Sequence, residues 1–157
     1  MKAMPLTLRP YRSEDQDFLF QLYISTRAQE FAGLGWPEAQ LEMFLRTQFN
    51  AQQSWYNTVY AQAEHQIVEQ DGQCIGRLMV RREKDSVLLV DIALLAEHRR
   101  QGIGSTLLHE LIQQCAQEGA TLRLQVLKSN PAQRLYERLG FSKTGEDQMY
   151  VQMERRP

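Results

Sequence analysis

The sequence predicts a single α/β domain over residues 1–157, with a mixed, strongly twisted sheet and helices on both faces. Three observations predict it. An apolar strand at residues 87–95 passes through a basic turn into a helical pattern that ends at Gly119. Short turns join this strand to two earlier strand patterns, as in an antiparallel meander. The alternating segment 121–127 follows the helix, so a right-handed crossover can pair it in parallel with residues 87–95.

The first elements are a short strand and a helix. Residues 6–9 have a β-like pattern, and apolar residues at helical spacing predict a helix over about 14–27. Ser13 followed by Gln16 fits a capping box at its start. The glycine-containing segment 28–35 is predicted to be a loop.

A second helix and a hairpin follow. Pro37 is suited to the first turn of the helix, whose end lies somewhere in residues 49–60. Asp71-Gly72 is a strong hairpin dipeptide, and residues 74–81 supply the partner strand. A second tight turn near Lys84-Asp85 leads into the strand at 87–95 and completes the meander.

The C-terminal part predicts a short helix and a final hairpin. Asn130 caps the helix and Gly140 closes it. Residues 141–144 and 148–153 have strand patterns on either side of a turn at 145–147. In chain order the predicted elements are therefore one strand, two helices, three strands, one helix, one strand, one helix and two strands.

The charge and composition of the chain exclude several classes of protein. With 18 basic and 19 acidic residues the net charge is −1, which predicts neither a nucleic-acid partner nor a membrane surface. The first ten residues carry no apolar leader and no run is long enough to span a membrane, so we expect a cytoplasmic protein. Cys74 and Cys115 are expected to be reduced core residues.

The basic turn indicates a site for an anion. Arg99 and Arg100 precede Gly102 and Gly104 at the start of the helix, where backbone N–H groups have no partner within the helix. The two glycines let an anion approach the backbone closely. A dinucleotide fingerprint would need glycine at position 107, which is leucine, and the Walker lysine pattern is absent. The pattern therefore predicts a pyrophosphate site of another kind.

Two segments together resemble a known family. Residues 99–104, RRQGIG, are similar to the Arg/Gln-x-x-Gly-x-Gly/Ala motif of the GNAT superfamily of acyl-CoA-dependent N-acyltransferases. Asn130, Tyr136, Gly140 and Phe141 are similar to its second motif, and the predicted order of elements agrees over almost the whole chain. The resemblance implies a GNAT-like mixed sheet whose one parallel pair splays apart.

The resemblance also implies a donor and a direct mechanism. Acetyl-CoA would be the acyl donor, and a primary amine, small or peptidic, would attack it in a ternary complex without a metal. The splayed strands would admit the pantetheine arm, and the arginines would add charge at the pyrophosphate. The implied cofactor-binding residues are Ile92, Leu94, Arg99, Arg100, Gln101, Gly102, Ile103, Gly104, Ser105, Asn130, Arg134 and Tyr136.

Three residues would carry the chemistry that the resemblance implies. The Leu94 N–H would stabilise the tetrahedral oxyanion. Tyr136 would protonate the departing thiolate, and Asp91, the only acid in the central strand, would accept the amine proton through water. Glu30, in the predicted loop, is an alternative base or a residue that binds the ammonium of the acceptor, and the lone histidines His65 and His98 are further alternative bases.

Structural roles compete with these assignments. Tyr136 is also consistent with a role as a core aromatic residue, and Asn130 with a role as a helix cap. Asp91 is also consistent with a position at a bulge or strand edge, where backbone donors satisfy its carboxylate. Arg134 either reaches the 3′-phosphate of the cofactor or lies on a solvated helix face. Four aromatic residues either line an acceptor pocket or belong to the core: Phe31, Trp36, Trp55 and Tyr56.

Two other functions compete with the transferase. One is a CoA-binding sensor or interaction module without turnover, and the other is an unrelated nucleotide-binding protein that uses the turn at Gly102. Exposed edge strands would also support a homodimer. The sequence does not identify the acceptor.

Overall fold

The structure, a computed structural model, describes residues 5–157, with the side chains of all of these except 28 and 29. The described residues form seven strands and four α-helices, with short 3₁₀ turns at Ser13–Asp15 and Ala96–His98. In chain order the elements are β1 (Leu6–Pro10), α1 (Gln16–Phe31), α2 (Glu38–Val59), β2 (Glu64–Gln70), β3 (Gln73–Arg82), β4 (Ser86–Leu94), α3 (Ile103–Glu118), β5 (Thr121–Leu127), α4 (Ala132–Arg138), β6 (Ser142–Glu146) and β7 (Tyr150–Arg155).

The strands form a mixed sheet in the order β1-β2-β3-β4-β5-β7-β6. β4 and β5 pair in parallel from Ser86↔Thr121 to Leu89↔Leu124. β1 with β2, β5 with β7 and β6 with β7 pair antiparallel. The adjacency of β2, β3 and β4 in the sheet confirms the predicted meander, and the pairing of β4 with β5 confirms the predicted parallel pair around the crossover helix α3. The parallel register covers four pairs, whereas β4 continues to Leu94 and β5 to Leu127.

The chain divides into two compact units. Unit 1 comprises the described residues up to Leu78 together with Ile92–Gly104, and unit 2 comprises Met79–Asp91 and Ser105–Pro157. The expectation of a single domain over residues 1–157 stays a prediction.

Each unit has its own apolar core. In unit 1 the helices α1 and α2 pack with β2 through Leu19, Phe20, Leu22, Tyr23, Leu45, Phe49 and Ile67. In unit 2 one stripe of α3 is buried, and its members are the predicted residues Leu107, Leu108, Leu111, Ile112 and Cys115. Alternate residues of β5 are also buried there, as the sequence pattern predicted. Cys74 and Cys115 are both free, the first half-buried and the second buried.

The first helix is longer than predicted. It runs to Phe31, so the predicted loop over 28–35 is wrong for its first four residues. The segment before Gly33 consists of residues that favour helix, and the Phe31 ring packs against Trp36 and Phe44. Tertiary packing and local propensity therefore extend the helix up to the first glycines.

The start of α1 is also built differently. Ser13 and Gln16 do not form the predicted capping box, since α1 has no side-chain cap. Asp15 is buried instead and accepts the Arg12 N–H at 2.8 Å. It also binds the Arg9 guanidinium through both oxygens at 2.7 and 2.9 Å, and this pairing lowers the pKa of Asp15 to about 2.

The last hairpin is shifted relative to the prediction. Gly145 and Glu146 belong to β6, and the turn lies after them, where Asp147 Oδ1 accepts the N–H groups of Met149 and Tyr150 at 2.9 and 2.7 Å.

Among the described residues, none of the helices has the length and apolar character needed to cross a membrane. The expectation that no leader is present falls partly on residues 1–4, which lie outside the described residues.

Candidate active site

The turn between β4 and α3 has an unusual backbone. Arg100 has a φ of 61° and Gly102 a φ of 80°, so two residues of this short turn are left-handed. A non-glycine residue in that region is uncommon and costs free energy, and such strain clusters at ligand-binding sites. Alternation of left-handed residues also directs successive N–H groups into one concave surface that suits an anion.

Side chains hold this turn against the end of β4. The Arg99 Nε donates to the Leu94 carbonyl at 3.0 Å, and the Gln101 amide donates to the Glu97 carbonyl at 3.0 Å. α3 then begins at Ile103, whose side chain is buried and anchors the helix start. A Cβ built on Gly104 would lie 3.9 Å from Leu94 Cδ1, an ordinary contact, so the protein itself leaves room at this position.

The orientation of Leu94 follows from its neighbour. The Leu95 N–H donates to the Ile75 carbonyl of β3 at 2.8 Å. Because successive backbone groups of a strand point to opposite edges, the Leu94 N–H points away from β3. Ile92, two residues earlier on β4, is half-buried and shares this orientation. The predicted oxyanion donor is therefore aimed away from the meander.

Gly76 lets β3 approach β4 closely at this point. A Cβ on Gly76 would come within 2.3 Å of the Ala93 carbonyl oxygen and 2.7 Å of Leu94 Cδ2. No side chain larger than hydrogen fits there without a shift of the backbone. Gly76 was not singled out in the sequence, although a glycine inside a strand is a signal of close backbone approach.

Tyr136 and Asp91 lie within electrostatic range of each other in unit 2. Tyr136 is on α4, is 9% exposed and packs edge-on against Phe141, with ring centroids 5.7 Å apart. Burial raises the pKa of its hydroxyl, and the negative charge of Asp91 raises it further. The ordinary pKa of tyrosine, about 10, already leaves the phenol protonated at neutral pH, the state that a general acid requires, and both effects act in the same direction.

The segment before Tyr136 is held by Asn130. Its Oδ1 accepts the Ala132 N–H at 2.9 Å, which confirms the predicted cap of the short helix. At the other end Gly140 has a φ of 97° and Phe141 donates its N–H to the Tyr136 carbonyl at 3.0 Å. Arg134 is exposed on α4, and Ser105 is half-buried in the first turn of α3.

The three alternative bases belong to unit 1 and have different surroundings. Glu30 is part of α1, not of a loop as predicted, and pairs with Arg27 at 3.6 Å. His65 stacks on Tyr11 with ring centroids 4.7 Å apart, and burial together with the charge of Arg77 lowers its pKa to about 4. His98 lies in the 3₁₀ turn before Arg99, and its Nδ1 is buried.

The aromatic candidates divide into two groups. Phe31 and Trp36 form a cluster with Phe44, in which ring centroids are 5.4 to 6.2 Å apart. Trp55 is 57% exposed on α2, and Tyr56 lies under the guanidinium of Arg77, 5.1 Å from its ring centroid.

Arg77 is a buried residue that the sequence analysis missed. It is 5% exposed on β3 and donates to the Gln53 and Gln52 side-chain oxygens at 3.3 and 3.2 Å, which joins α2 to the sheet of unit 1. A charge inside the apolar run of residues 74–80 was the available signal, of the same kind as Asp91 in β4. Its contacts assign it a structural role. Among the described residues, no group of three or more His, Cys, Asp or Glu could hold a metal ion.

Solved structures share this fold. The chain matches a PaiA N-acetyltransferase from Thermoplasma acidophilum, solved in complex with coenzyme A, over 98% of this chain and 100% of the other, with a TM-score of 0.72 and 21% identity. It also matches the ribosomal-protein-S18-alanine N-acetyltransferase from Escherichia coli over 97% and 94% of the two chains, with a TM-score of 0.64 and 20% identity. The fold is therefore the one adopted by these N-acetyltransferases.

Sequence comparison identifies the family. The model of the acetyltransferase (GNAT) family matches residues 18–141, and the chain belongs to this family. The [ribosomal protein bS18]-alanine N-acetyltransferase of Haemophilus influenzae is 38% identical over 74 residues, which is 46% of this chain and 51% of the relative. The enzyme of the same description from Escherichia coli K12 is 39% identical over 75 residues, again 46% and 51%. The chain thus spans about half the length of these curated relatives.

Proposed function

We propose that this protein transfers the acetyl group of acetyl-CoA to the nitrogen of a primary amine by direct attack in a ternary complex. The turn from Arg99 to Gly104 carries the proposal. It combines two left-handed residues, two arginines and an open glycine at a helix start, which is the chemistry that a pyrophosphate needs. Family membership and the N-acetyltransferase names of relatives and structural neighbours support the same reading.

The donor would be held mainly by backbone groups. The N–H groups of Ile103, Gly104 and Ser105 would bind the pyrophosphate, and Arg99 and Arg100 would add positive charge. The strand edge at Ile92 and Leu94 would pair with the pantetheine arm as an added strand would. Further donor contacts are proposed for Gln101, Gly102, Asn130, Arg134 and Tyr136.

The chemical step balances without a covalent enzyme intermediate. The amine nitrogen attacks the thioester carbonyl carbon, and the Leu94 N–H stabilises the resulting oxyanion. The C–N bond forms as the C–S bond breaks, and the thiolate of CoA takes a proton from the Tyr136 hydroxyl. The nitrogen loses its proton to Asp91 through water, and solvent exchange returns a proton to Tyr136. The products are an N-acetylated amine and free CoA thiol.

The acceptor and location are proposed at a coarser level. The relatives named above act on an alanine of a ribosomal protein, by their descriptions, so a peptide amine and a small amine are both candidates here. A nucleic-acid partner and a membrane are not part of the proposal. The cytoplasmic location and the homodimer stay predictions.

An amine panel with acetyl-CoA, with free thiol as the readout, tests the transfer. We expect thiol release above the hydrolytic background with at least one amine, together with the mass of an acetyl group on that amine. Tight binding of CoA without thiol release on any amine would instead favour the binding module. Binding of ATP or NAD in place of CoA would favour the unrelated nucleotide-binding protein.

Replacing the acid tests the mechanism. Tyr136→Phe keeps the ring against Phe141 but removes the proton donor, so we expect kcat to fall by about 10²-fold or more. The affinity for CoA should change less than about twofold, because the ring contributes packing in both forms. Kinetics on the best amine and calorimetry with CoA measure the two quantities. An unchanged kcat would remove Tyr136 from the mechanism.

A further inference from the structure

A cavity of about 470 Å³ in unit 1 lies along one face of α1. Positions 17, 18, 21, 24 and 25 line it from the helix, a spacing that places their side chains on one face. Leu95 and Glu97, which follow β4, line it from the other side. It contains none of the site residues that the sequence predicted.

Hydrogen bonds fix the two walls of this cavity relative to each other. Ser25 Oγ accepts the Ala96 N–H at 2.8 Å, which joins α1 to the segment after β4. The Leu95 N–H donates to Ile75 at 2.8 Å and holds the same segment to β3. The cavity is therefore formed before any ligand arrives, as small-molecule sites usually are.

The residue that follows the proposed oxyanion donor lines the cavity. Leu95 is the residue after Leu94, and the two side chains leave the strand on opposite faces. The Leu94 side chain lies against the Cβ positions of Gly76 and Gly104, whereas Leu95 packs with the core of α1 and α2. The cavity thus opens on the α1 face, one residue from the proposed oxyanion donor.

Its lining combines an apolar wall with negative charge. Phe18, Ile24 and Leu95 are half-buried, whereas the carboxylates of Asp17 and Glu97 lie on exposed residues at the rim. None of the described lining residues is basic. A ligand that complements this surface carries positive charge on an apolar body.

We infer that this cavity binds the acceptor, and that the acceptor is a diamine: an amine that keeps a second positive charge on an apolar spacer. The inference rests on the proposed function. The reacting nitrogen attacks as a neutral amine, so it cannot be the charge that complements the carboxylates during the reaction. A second ammonium remains charged and lies near Asp17 and Glu97, while the methylene groups cover Phe18, Ile24 and Leu95.

A matched pair of acceptors tests the inference. 1,5-Diaminopentane and 1-aminopentane have the same chain and differ in the second charge. Since one exposed ion pair contributes up to about 1 kcal/mol, or about fivefold, we expect kcat/KM for the diamine to exceed that for the monoamine by roughly 5- to 20-fold at low salt. The double variant Asp17→Asn/Glu97→Gln should remove most of this preference by raising KM for the diamine.

Controls separate the carboxylates from general effects. Glu14→Gln removes an exposed acid just before α1 that does not line the cavity, so it should keep the preference. Rising ionic strength should reduce the preference in the wild type and not in the double variant. Melting temperatures accompany the kinetics, because Asp17 also lies in the first turn of α1.

The outcomes distinguish this inference from the proposed function. Equal kcat/KM values for the two acceptors in the wild type, or an unchanged preference in the double variant, would overturn the inference and leave the transferase standing. Absence of thiol release on every amine would overturn the proposed function. In that case, calorimetry of 1,5-diaminopentane with the CoA-saturated protein tests whether the cavity binds a diamine. Binding to the wild type that is lost in the double variant would support the inference, and absence of binding to the wild type would overturn it.

Discussion

At the scale of single residues, His65 links the stability of the protein to pH. Its ring is stacked on Tyr11, its Nε2 is buried, and its pKa is lowered to about 4. The unfolded chain binds a proton near pH 6.5 and the folded one does so only near pH 4. Stability contributed by the neutral ring is therefore present above pH 6.5 and is lost as the pH falls towards 4.

Replacing His65 with a residue that cannot be protonated should reduce the dependence of stability on pH. His65→Phe keeps a ring against Tyr11 but cannot be protonated, so we expect it to abolish a loss of about 2 kcal/mol between pH 6.5 and 4.5. Urea unfolding at several pH values measures the free energy. His109→Gln, at an exposed histidine, is the control and should keep the slope of the wild type. If the free energy of unfolding of His65→Phe falls with pH as steeply as that of the wild type, other titratable groups cause the pH dependence.

A substitution at Gly104 tests whether the turn between β4 and α3 binds phosphate, as we propose. A Cβ there would contact only Leu94 Cδ1, at 3.9 Å, so we expect Gly104→Val to fold and to lose no more than about 2 kcal/mol in the free energy of unfolding. The added methyl groups would occupy the space where a phosphate approaches the helix start, so CoA affinity should fall more than tenfold. Calorimetry and urea unfolding measure the two effects. Full CoA affinity in a folded variant would remove this helix start from the site.

At the scale of secondary-structure elements, the contact between β3 and β4 depends on Gly76. The Cβ of Gly76→Ala would lie 2.3 Å from a backbone carbonyl oxygen, which cannot rotate away, so the strands must separate. We expect a loss of about 3 kcal/mol or more in the free energy of unfolding. Gly33→Ala is the matched control, since nothing lies within 4 Å of its Cβ position, and it should change stability by less than about 1 kcal/mol.

The activity of Gly76→Ala distinguishes a contact between β3 and β4 that positions the Leu94 N–H from one that serves stability alone. If β3 positions the end of β4, kcat should fall in the fraction that remains folded, because the Leu94 N–H moves with its strand. Circular dichroism and thiol-release kinetics on the same preparation measure this. A folded variant with wild-type kcat would limit Gly76 to stability.

At the scale of the whole molecule, donor binding should stabilise the fold. A ligand that binds only the folded state at 100 times its Kd contributes about 2.7 kcal/mol, which raises the melting temperature of a chain of this size by about 5 to 10 °C. We expect this shift with CoA and less than about 1 °C with ATP or NAD at the same concentration. Differential scanning calorimetry measures it. A larger shift with ATP or NAD would contradict the assignment of the turn to CoA.

Much of the fold was predictable because its signals are local. Asp71 and Gly72 both adopt positive φ in the β2–β3 turn, as the dipeptide indicated, and Gly119 and Gly140 close their helices in the left-handed region. The bounds of β5 follow directly from its alternation. The turn at Arg99 to Gly104 was recognisable for the same reason, since its chemistry lies within six consecutive residues.

The errors occurred where distant residues decide the local structure. Ser13 does not cap α1 as predicted. Asp15 is instead buried in an ion pair with Arg9, and Arg9 is itself held by Glu69, 60 positions away. His65, a lone histidine in the sequence, becomes a half-buried residue with a lowered pKa because Tyr11 and Arg77 lie beside it in unit 1.

The sequence by itself determined the family, the order of the strands and helices and the turn that we propose binds phosphate, because backbone preferences and short motifs encode all three. Only the tertiary structure decided which side chains share a surface. Ser25 meets the backbone of Ala96 across 71 positions, and this contact creates the cavity that joins Asp17 to Glu97. No local pattern specifies such a pair, since it exists only when the helix packs beside the end of β4.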